Sequence, residues 1–156
     1  MNIDCNKGFT LIEVLVVIGI IAILAAVVLV AVNPARQFKL ARDSQRTANV
    51  NALLNAIHQN ISEHRGSFVC NGTIRTLPSS PSVVKYGGGF PAYQGDIASC
   101  LVTDYLSALP FDPGIPGAHY ASTTDYDTGY EVFQEGNGRI TASSTGELMP
   151  TISVTR

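Results

Sequence analysis

The sequence predicts an α+β protein in which a long N-terminal helix, apolar in its first half and amphipathic in its second, packs on a small antiparallel β-sheet head. Three observations support this prediction. The chain is apolar without interruption from Val14 to Val32, and apolar residues then recur at helical spacing to about residue 65. Residues 66–156 are instead rich in glycine, proline, serine, threonine and tyrosine, a composition typical of short strands and turns.

The apolar run is long enough to cross a membrane. At a rise of 1.5 Å per residue, a helix from Val14 to Val32 measures roughly 28 Å, which is close to the ~30 Å hydrocarbon thickness of a bilayer. A single open strand would leave its backbone groups unpaired in lipid, so a helix is favoured. We expect this helix to extend back to Phe9 and to occupy residues 9–33.

Glu13 is the one ionisable side chain between Lys7 and Arg36. A carboxylate within an apolar spanning segment costs about 2.5 to 3.5 kcal/mol even on lenient insertion scales. The sequence therefore predicts that Glu13 has a partner of opposite charge.

The stretch Lys7-Gly8-Phe9-Thr10-Leu11-Ile12-Glu13-Val14-Leu15 resembles the processing site of type IV prepilins and type II secretion pseudopilins. The resemblance implies a pilin-like fold and cleavage by a prepilin peptidase after Gly8, which removes residues 1–8 as a leader. It also implies methylation of the new amino terminus at Phe9. In this family the acid matching Glu13 pairs with the amino terminus of a neighbouring subunit, and this supplies the missing partner.

The resemblance further implies a life cycle. The precursor would lie in the bacterial cytoplasmic membrane as a single-pass protein with its head outside the cytoplasm, and an assembly platform would then extract it into an extracellular helical homopolymer. One observation opposes this topology. Basic residues are more numerous after the span, at Arg36, Lys39, Arg42 and Arg46, than before it, and such residues favour the cytoplasmic side.

Two alternatives to a pilus subunit stay open. The nearer one is a pseudopilin of a type II secretion or DNA-uptake system, which would form a short periplasmic piston. The more distant one is a single-pass anchor that carries a binding module, whose mark would be an intact N-terminus at Met1.

Beyond Val32, Asn33-Pro34 should bend or interrupt the helix, because proline removes a hydrogen-bond donor and clashes with the preceding turn. Residues 34–65 then form the amphipathic half, and Gly66 suits the position after its end. The expected apolar face comprises Ala41, Ala48, Val50, Leu53, Leu54, Ile57 and Ile61. The residues between them, which include Asp43 and Arg46, are expected to face solvent.

The head is predicted to contain a loop, a short helix and a meander of strands. The loop covers 67–95 with one short strand at 82–86 and a turn at Gly87-Gly88-Gly89, and Asp96 would cap a helix over 97–109. The strands are expected at 118–123, 129–134, 139–143 and 151–155. Turns are expected at Asp127-Thr128-Gly129 and Gly136-Asn137-Gly138.

The chain has three cysteines, and removal of the leader with Cys5 leaves Cys70 and Cys100. A bridge between these two would close a loop of about 30 residues and add roughly 3 to 4 kcal/mol to stability in an oxidising compartment. Two unrelated buried thiols are the alternative.

Other chemistry has little support in the sequence. There is no nucleophile elbow or phosphate loop, and the histidines at 58, 64 and 119 have no metal-like spacing, so we expect no enzymatic activity. Asp125 and Asp127 flank a glycine turn, and major pseudopilins bind calcium near this part of the head, although a hairpin turn explains the same residues. A net charge of −2 and no basic patch in the head argue against a nucleic-acid groove. Two triplets, which begin at Asn60 and Asn71, match the acceptor pattern for N-glycosylation, but chance explains them if the source is bacterial, as the resemblance implies.

Overall fold

The computed structural model describes residues 8–87 and 97–156. These residues divide into two compact units, one that ends at Phe38 and one that runs from Lys39 to Arg156. The first unit contains helix α1 (Leu11–Val32), and helix α2 (Pro34–Glu63) begins in this unit and continues into the second. The predicted α+β class is confirmed.

The break between the two helices falls at Asn33, as the Asn-Pro pair predicts. Asn33 adopts a left-handed conformation with φ of 46°, which asparagine tolerates better than most residues. Its side-chain Oδ1 accepts a hydrogen bond from the Arg36 amide at 3.3 Å. Pro34 occupies the first helical position, where its missing N–H leaves no hydrogen bond unmade.

The second unit contains two sheets and a short helix in addition to most of α2. Strands β1 (Phe68–Cys70) and β2 (Thr73–Arg75) form a separate two-stranded antiparallel hairpin. The remaining elements are β3 (Ser82–Lys85), α3 (Ala98–Leu101), β4 (His119–Ser122), β5 (Asp125–Gln134), β6 (Ile140–Ser144) and β7 (Ile152–Thr155). The main sheet is antiparallel in the order β3-β5-β6-β7, with β4 paired to the start of β5.

One hydrophobic core joins α2 to the main sheet. Strand β5 alternates buried and half-buried residues, and its buried positions include Tyr130 and Val132. These pack in the same cluster as Val50, Leu53 and Leu54 of α2, all of them completely buried. Burial of each such leucine is worth about 1.5 to 3 kcal/mol, so the apolar positions of α2 hold the sheet in place.

Helix α3 is much shorter than the predicted helix over 97–109. It ends at Leu101 because Val102 is extended, with φ of −79° and ψ of 140°, and Thr103 has a positive φ of 81°. Val102 is β-branched and favours extended backbone. The carbonyl of Leu101 instead accepts hydrogen bonds from Tyr105 and Leu106 at 3.0 and 2.9 Å, which closes the chain into turns. The predicted cap, Asp96, lies outside the described residues.

The prediction of a turn at Asp127-Thr128-Gly129 was wrong, because all three residues lie within β5. The pairing with β3 slips between Val83 and Lys85, and Gly129 has φ of 70°, so the glycine marks an irregularity in a long strand. The chain turns earlier, at residues 123–124. The second predicted turn, at Gly136-Asn137-Gly138, does connect β5 to β6.

The loop predicted over 67–95 also needs correction, because the hairpin of β1 and β2 occupies its first part. Strand β3 matches the predicted short strand to within one residue. Gly87 has φ of 69°, which suits a turn, and the rest of the predicted glycine turn lies outside the described residues.

Candidate functional site

Gly8, Phe9 and Thr10 precede the first helix and are exposed. The Phe9 side chain is 89% exposed, and nothing lies within 4 Å of the position where a side chain on Gly8 would begin. A larger residue at position 8 would therefore meet no steric obstacle in the described part of this chain. The described part of the chain itself therefore imposes no steric requirement for glycine at position 8.

Thr10 is the N-cap of α1, so the helix begins at Leu11 and not at Phe9 as expected. The Thr10 hydroxyl accepts the Glu13 amide at 3.3 Å, and the Glu13 carboxylate accepts the Thr10 amide and hydroxyl at 2.9 and 2.8 Å. This reciprocal arrangement is a capping box, and the spacing Thr-Leu-Ile-Glu is its sequence signature. Glu13 thus has a hydrogen-bond partner in its own chain, whereas the sequence predicted a partner only in a neighbouring subunit.

The capping box also leaves part of the Glu13 carboxylate free. Both hydrogen bonds from Thr10 go to Oε2, and no described residue donates to Oε1. A carboxylate in the first turn is favourable beside the positive end of the helix dipole. Glu13 is therefore fixed at the start of α1 with one oxygen available to a second donor.

Helix α1 has no buried residue along its 22 positions. At 1.5 Å per residue it measures about 33 Å, enough to cross a bilayer. Within the described part of the chain it is the one helix that has the length and composition of a membrane span. Such an apolar surface needs lipid or other protein to cover it.

The main departure from the predicted helix face lies in the first turns of α2 within the second unit. Ala41 and Ala48, which were expected on the buried face, are exposed, whereas Asp43 and Arg46 are buried. The Arg46 guanidinium binds both oxygens of Asp112, at 2.7 and 2.9 Å, and also reaches Asp43 at 2.8 Å. The two charges expected in solvent are thus paired in the interior.

We refer to Asp43, Arg46, Asp112 and Glu147 as the ionic cluster. Glu147 contacts Arg46 at 3.2 Å and binds Arg42 with two hydrogen bonds of 2.5 and 2.6 Å. The cluster joins α2 to two loops of the head, one after α3 and one between β6 and β7. It therefore fixes both loops against the first turns of the part of α2 that belongs to the second unit.

The cluster also satisfies backbone groups of the second loop. The Asp43 carboxylate accepts the amides of Glu147, Leu148 and Met149 at 2.8 to 3.4 Å. The hydrogen bond from the Glu147 amide is the main cause that lowers the pKa of Asp43 to about 2. Likewise, the hydrogen bonds from Arg42 lower the pKa of Glu147 to about 2. Both carboxylates therefore stay charged well into the acidic range.

Asp112 is the most enclosed acid of the cluster. Burial is the largest single influence on Asp112 and by itself would raise its pKa, but the hydrogen bonds and charge of Arg46 together with the hydrogen bonds from Gly114 and Ser144 outweigh it, and the pKa is lowered. Its oxygens also accept the amides of Gly114 and Ile115 and the Ser144 hydroxyl. The same pairing raises the pKa of Arg46.

Cys70 and Cys100 form a disulfide, the pairing that the sequence offered beside two separate thiols. It joins the end of β1 to α3 across 30 residues of sequence. Beside it, the buried Asn60 of α2 exchanges two hydrogen bonds with the Val69 backbone, at 2.9 and 2.8 Å. These links hold the small hairpin on the head, and the burial of Asn60 excludes a glycan there.

The two residues of the calcium hypothesis, Asp125 and Asp127, each have a hydrogen-bond partner within the head. Asp125 contacts His119 at 3.0 Å, and Asp127 accepts the Gly129 amide at 3.1 Å. The Gly117 carbonyl and then Asp125 raise the pKa of His119. In the described ranges, no three histidine, cysteine or acidic side chains converge closely enough to hold a metal ion.

The second unit is thus a small α+β head whose sheet packs on a helix, and the first unit presents an unburied apolar helix that begins with a capped glutamate. This combination defines a class of proteins whose apolar N-terminal helix needs lipid or other protein to cover it. Comparison with known families agrees with this description. Residues 3–29 match the prokaryotic N-terminal methylation motif.

That motif is the signature of type IV pilins and pseudopilins, so the resemblance seen in the sequence is confirmed. The matched residues include Gly8, Phe9 and Glu13 and most of α1. No curated protein and no solved structure matches the chain.

Proposed function

We propose that this protein is the structural subunit of a type IV pilus, made as a membrane-inserted prepilin and assembled through α1. The observation that carries the proposal is that α1 has no buried residue and that most of it, with Glu13 near its start, lies within the methylation motif. In lipid this helix is covered as a span, and in a filament it is covered by the same helix of other copies. The disulfide supports a head that folds outside the cytoplasm, in an oxidising compartment.

Cleavage after Gly8 would place a new amino group on Phe9, one residue before the N-cap. Within one chain, Glu13 already holds Thr10 through Oε2, so the free Oε1 is the atom available to the amino terminus of a neighbouring subunit. Lipid and neighbouring apolar helices are similarly apolar, so little hydrophobic free energy is gained when the helix moves from one to the other. Side-chain packing and this charge pair would therefore set the axial position of each subunit relative to its neighbour.

Glu13→Gln is the sharpest test of the charge pair. Glutamine at this position retains the capping box but removes the charge, whereas alanine removes both. We expect both variants to insert and to be trimmed but to assemble poorly, as measured by sheared filament yield against membrane-bound subunit. Wild-type filament yield from Glu13→Gln would refute the charge role. Poor yield from Glu13→Ala alone would then assign the effect to the helix cap.

The processing site is tested independently at Gly8. Because the described chain leaves room for a side chain there, Gly8→Leu should fold normally but remain as the longer precursor in the membrane. Mass analysis of wild-type protein from its host should show a methylated Phe9 as the first residue. Normal trimming of the Gly8→Leu precursor would contradict the assigned site.

The motif is common to pilins and pseudopilins, so it does not distinguish the two classes. The yield of sheared filaments does. A pilus subunit should appear in long filaments sheared from cells. A subunit that is trimmed and retained in the cell envelope without surface filaments would instead support a pseudopilin of a secretion or DNA-uptake system.

A further inference from the structure

The chain contains two Asn-Gly pairs, Asn71-Gly72 and Asn137-Gly138. Both asparagines are exposed, both lie in the turn of a β-hairpin, and both glycines have a positive φ, of 73° and 87°. In an Asn-Gly pair the glycine nitrogen has no adjacent side chain to hinder its approach to the asparagine amide. Sequence and exposure therefore do not distinguish the two sites.

Hydrogen bonding does distinguish them. The Asn137 amide nitrogen donates to Glu135 at 2.9 Å, its oxygen accepts the Arg139 amide at 2.9 Å, and the Gly138 amide donates to the Glu135 carbonyl at 2.9 Å. In contrast, neither the Asn71 side chain nor the Gly72 amide bonds to any residue within 8–87 or 97–156. The two groups that would react, the asparagine side-chain amide and the glycine N–H, are hydrogen-bonded at Asn137-Gly138 and free at Asn71-Gly72.

The surroundings of the two turns differ as well. The hairpin of β1 and β2 has three residue pairs and forms a sheet of its own, and every residue of β2 is exposed. Strand β1 is anchored to the head by the disulfide and by Asn60, but β2 and the turn residues Asn71 and Gly72 are exposed, so the turn can change conformation without disturbing the core. The turn at Asn137 instead connects two strands of the main sheet, one of them the buried β6.

We propose that Asn71 is a site of spontaneous deamidation in the folded protein and that Asn137 is protected from the same reaction. The Gly72 nitrogen attacks the Asn71 side-chain carbonyl carbon, a carbon–nitrogen bond forms, and the side-chain nitrogen leaves as ammonia with the proton from the Gly72 amide. Water then opens the cyclic imide at either carbonyl and yields aspartate or isoaspartate. The product adds one negative charge to a chain whose net charge is −2.

The test is incubation of the full-length protein in detergent at mildly alkaline pH, followed by reduction, trypsin digestion and mass spectrometry. Tryptic peptides 66–75 and 86–139 each contain a single asparagine, at positions 71 and 137, so the two sites are read separately. We expect deamidation and isoaspartate to appear at least about tenfold faster at Asn71, because only there are the asparagine side-chain amide and the glycine N–H free of hydrogen bonds, in an exposed turn. Similar rates at both sites in the folded protein, or a faster rate at Asn137, would overturn the proposal.

Two controls identify structure as the cause. In the reduced chain unfolded by urea, both sites lose their surroundings, and the rates should converge to within about threefold. Glu135→Ala removes the acceptor of the Asn137 amide and should accelerate deamidation at that site, without change at Asn71. If the tenfold difference persisted in the unfolded chain, it would belong to the local sequence and the structural explanation would be wrong.

Discussion

Replacement of Arg46 by methionine should destabilise the head more than any change to an exposed charge. Arg46 is 3% exposed and pairs with an Asp112 side chain that is completely buried. Its removal leaves Asp112 in the interior without an opposite charge, and loss of one partner from a buried pair costs about 3 to 5 kcal/mol. Methionine retains most of the packing volume, so the loss reports the charge and its hydrogen bonds.

The free energy should be measured on the full-length protein in detergent, by thermal unfolding followed through the aromatic circular dichroism signal. For a head of this size, a loss of 3 to 5 kcal/mol corresponds to a fall in Tm of roughly 10 to 20 °C. Arg46→Lys should give an intermediate fall, because lysine supplies charge but not the two parallel hydrogen bonds to Asp112. Asp112→Asn in the Arg46→Met background should restore part of the loss, since the stranded charge is then gone.

Arg139→Met is the matched control. Arg139 is exposed, and its guanidinium makes one long hydrogen bond of 3.5 Å, to the Thr155 carbonyl, so the change should stay within about 0.5 kcal/mol of wild type. If Arg46→Met were as mild as this control, the ionic cluster would not stabilise the head and the reasoning from burial would be refuted.

Three further predictions concern pH, the disulfide and the hairpin. The pKa values of Asp43 and Glu147 are lowered to about 2 from 3.8 and 4.5, so the unfolded chain binds more protons than the folded one in the acidic range. The stability that these two carboxylates contribute should be complete above about pH 5 and should be lost as the pH drops toward 2. A free energy of unfolding in urea that stays the same between about pH 5 and pH 2 would contradict this. Cys70→Ser should lose roughly 3 to 4 kcal/mol, and reductant should bring wild type to the same value but leave the variant unchanged. Asn60→Ala removes two hydrogen bonds to β1 and should lower the free energy of unfolding by about 1 to 3 kcal/mol. The amide of residue 69 should then exchange hydrogen faster. Unchanged exchange would show that Asn60 does not hold the hairpin on the head.

The first unit could be predicted closely from local sequence. The apolar run gave α1, the Asn-Pro pair gave the break at Asn33, and the motif around Gly8 gave the class of protein, because each depends on residues that are near one another in the chain. The error in this region was also local. Thr10 and Glu13 have the spacing of a capping box, and this pattern would have placed the helix start correctly.

The head was predicted in class but not in detail. Strands β3, β4, β6 and β7 lie within a residue or so of their expected positions, since alternation and turn residues are local signals. Gly129 was assigned to a turn because a glycine between polar residues suits both a hairpin and an irregular strand. Only the pairing of β5 with strands on both of its edges decides between these two roles.

By itself, then, the sequence determined an apolar helix that needs lipid or neighbours, a processing motif at its start, and two cysteines able to pair in the head. Tertiary structure alone decided that Asp43 and Arg46 are buried. A helical pattern assigns charged residues to solvent, and their partners Asp112 and Glu147 lie 66 and 101 residues from Arg46 along the chain. A charge is buried at low cost only where the fold brings an opposite charge to it, and the residues next to Arg46 in the sequence do not show which distant residues will be brought there.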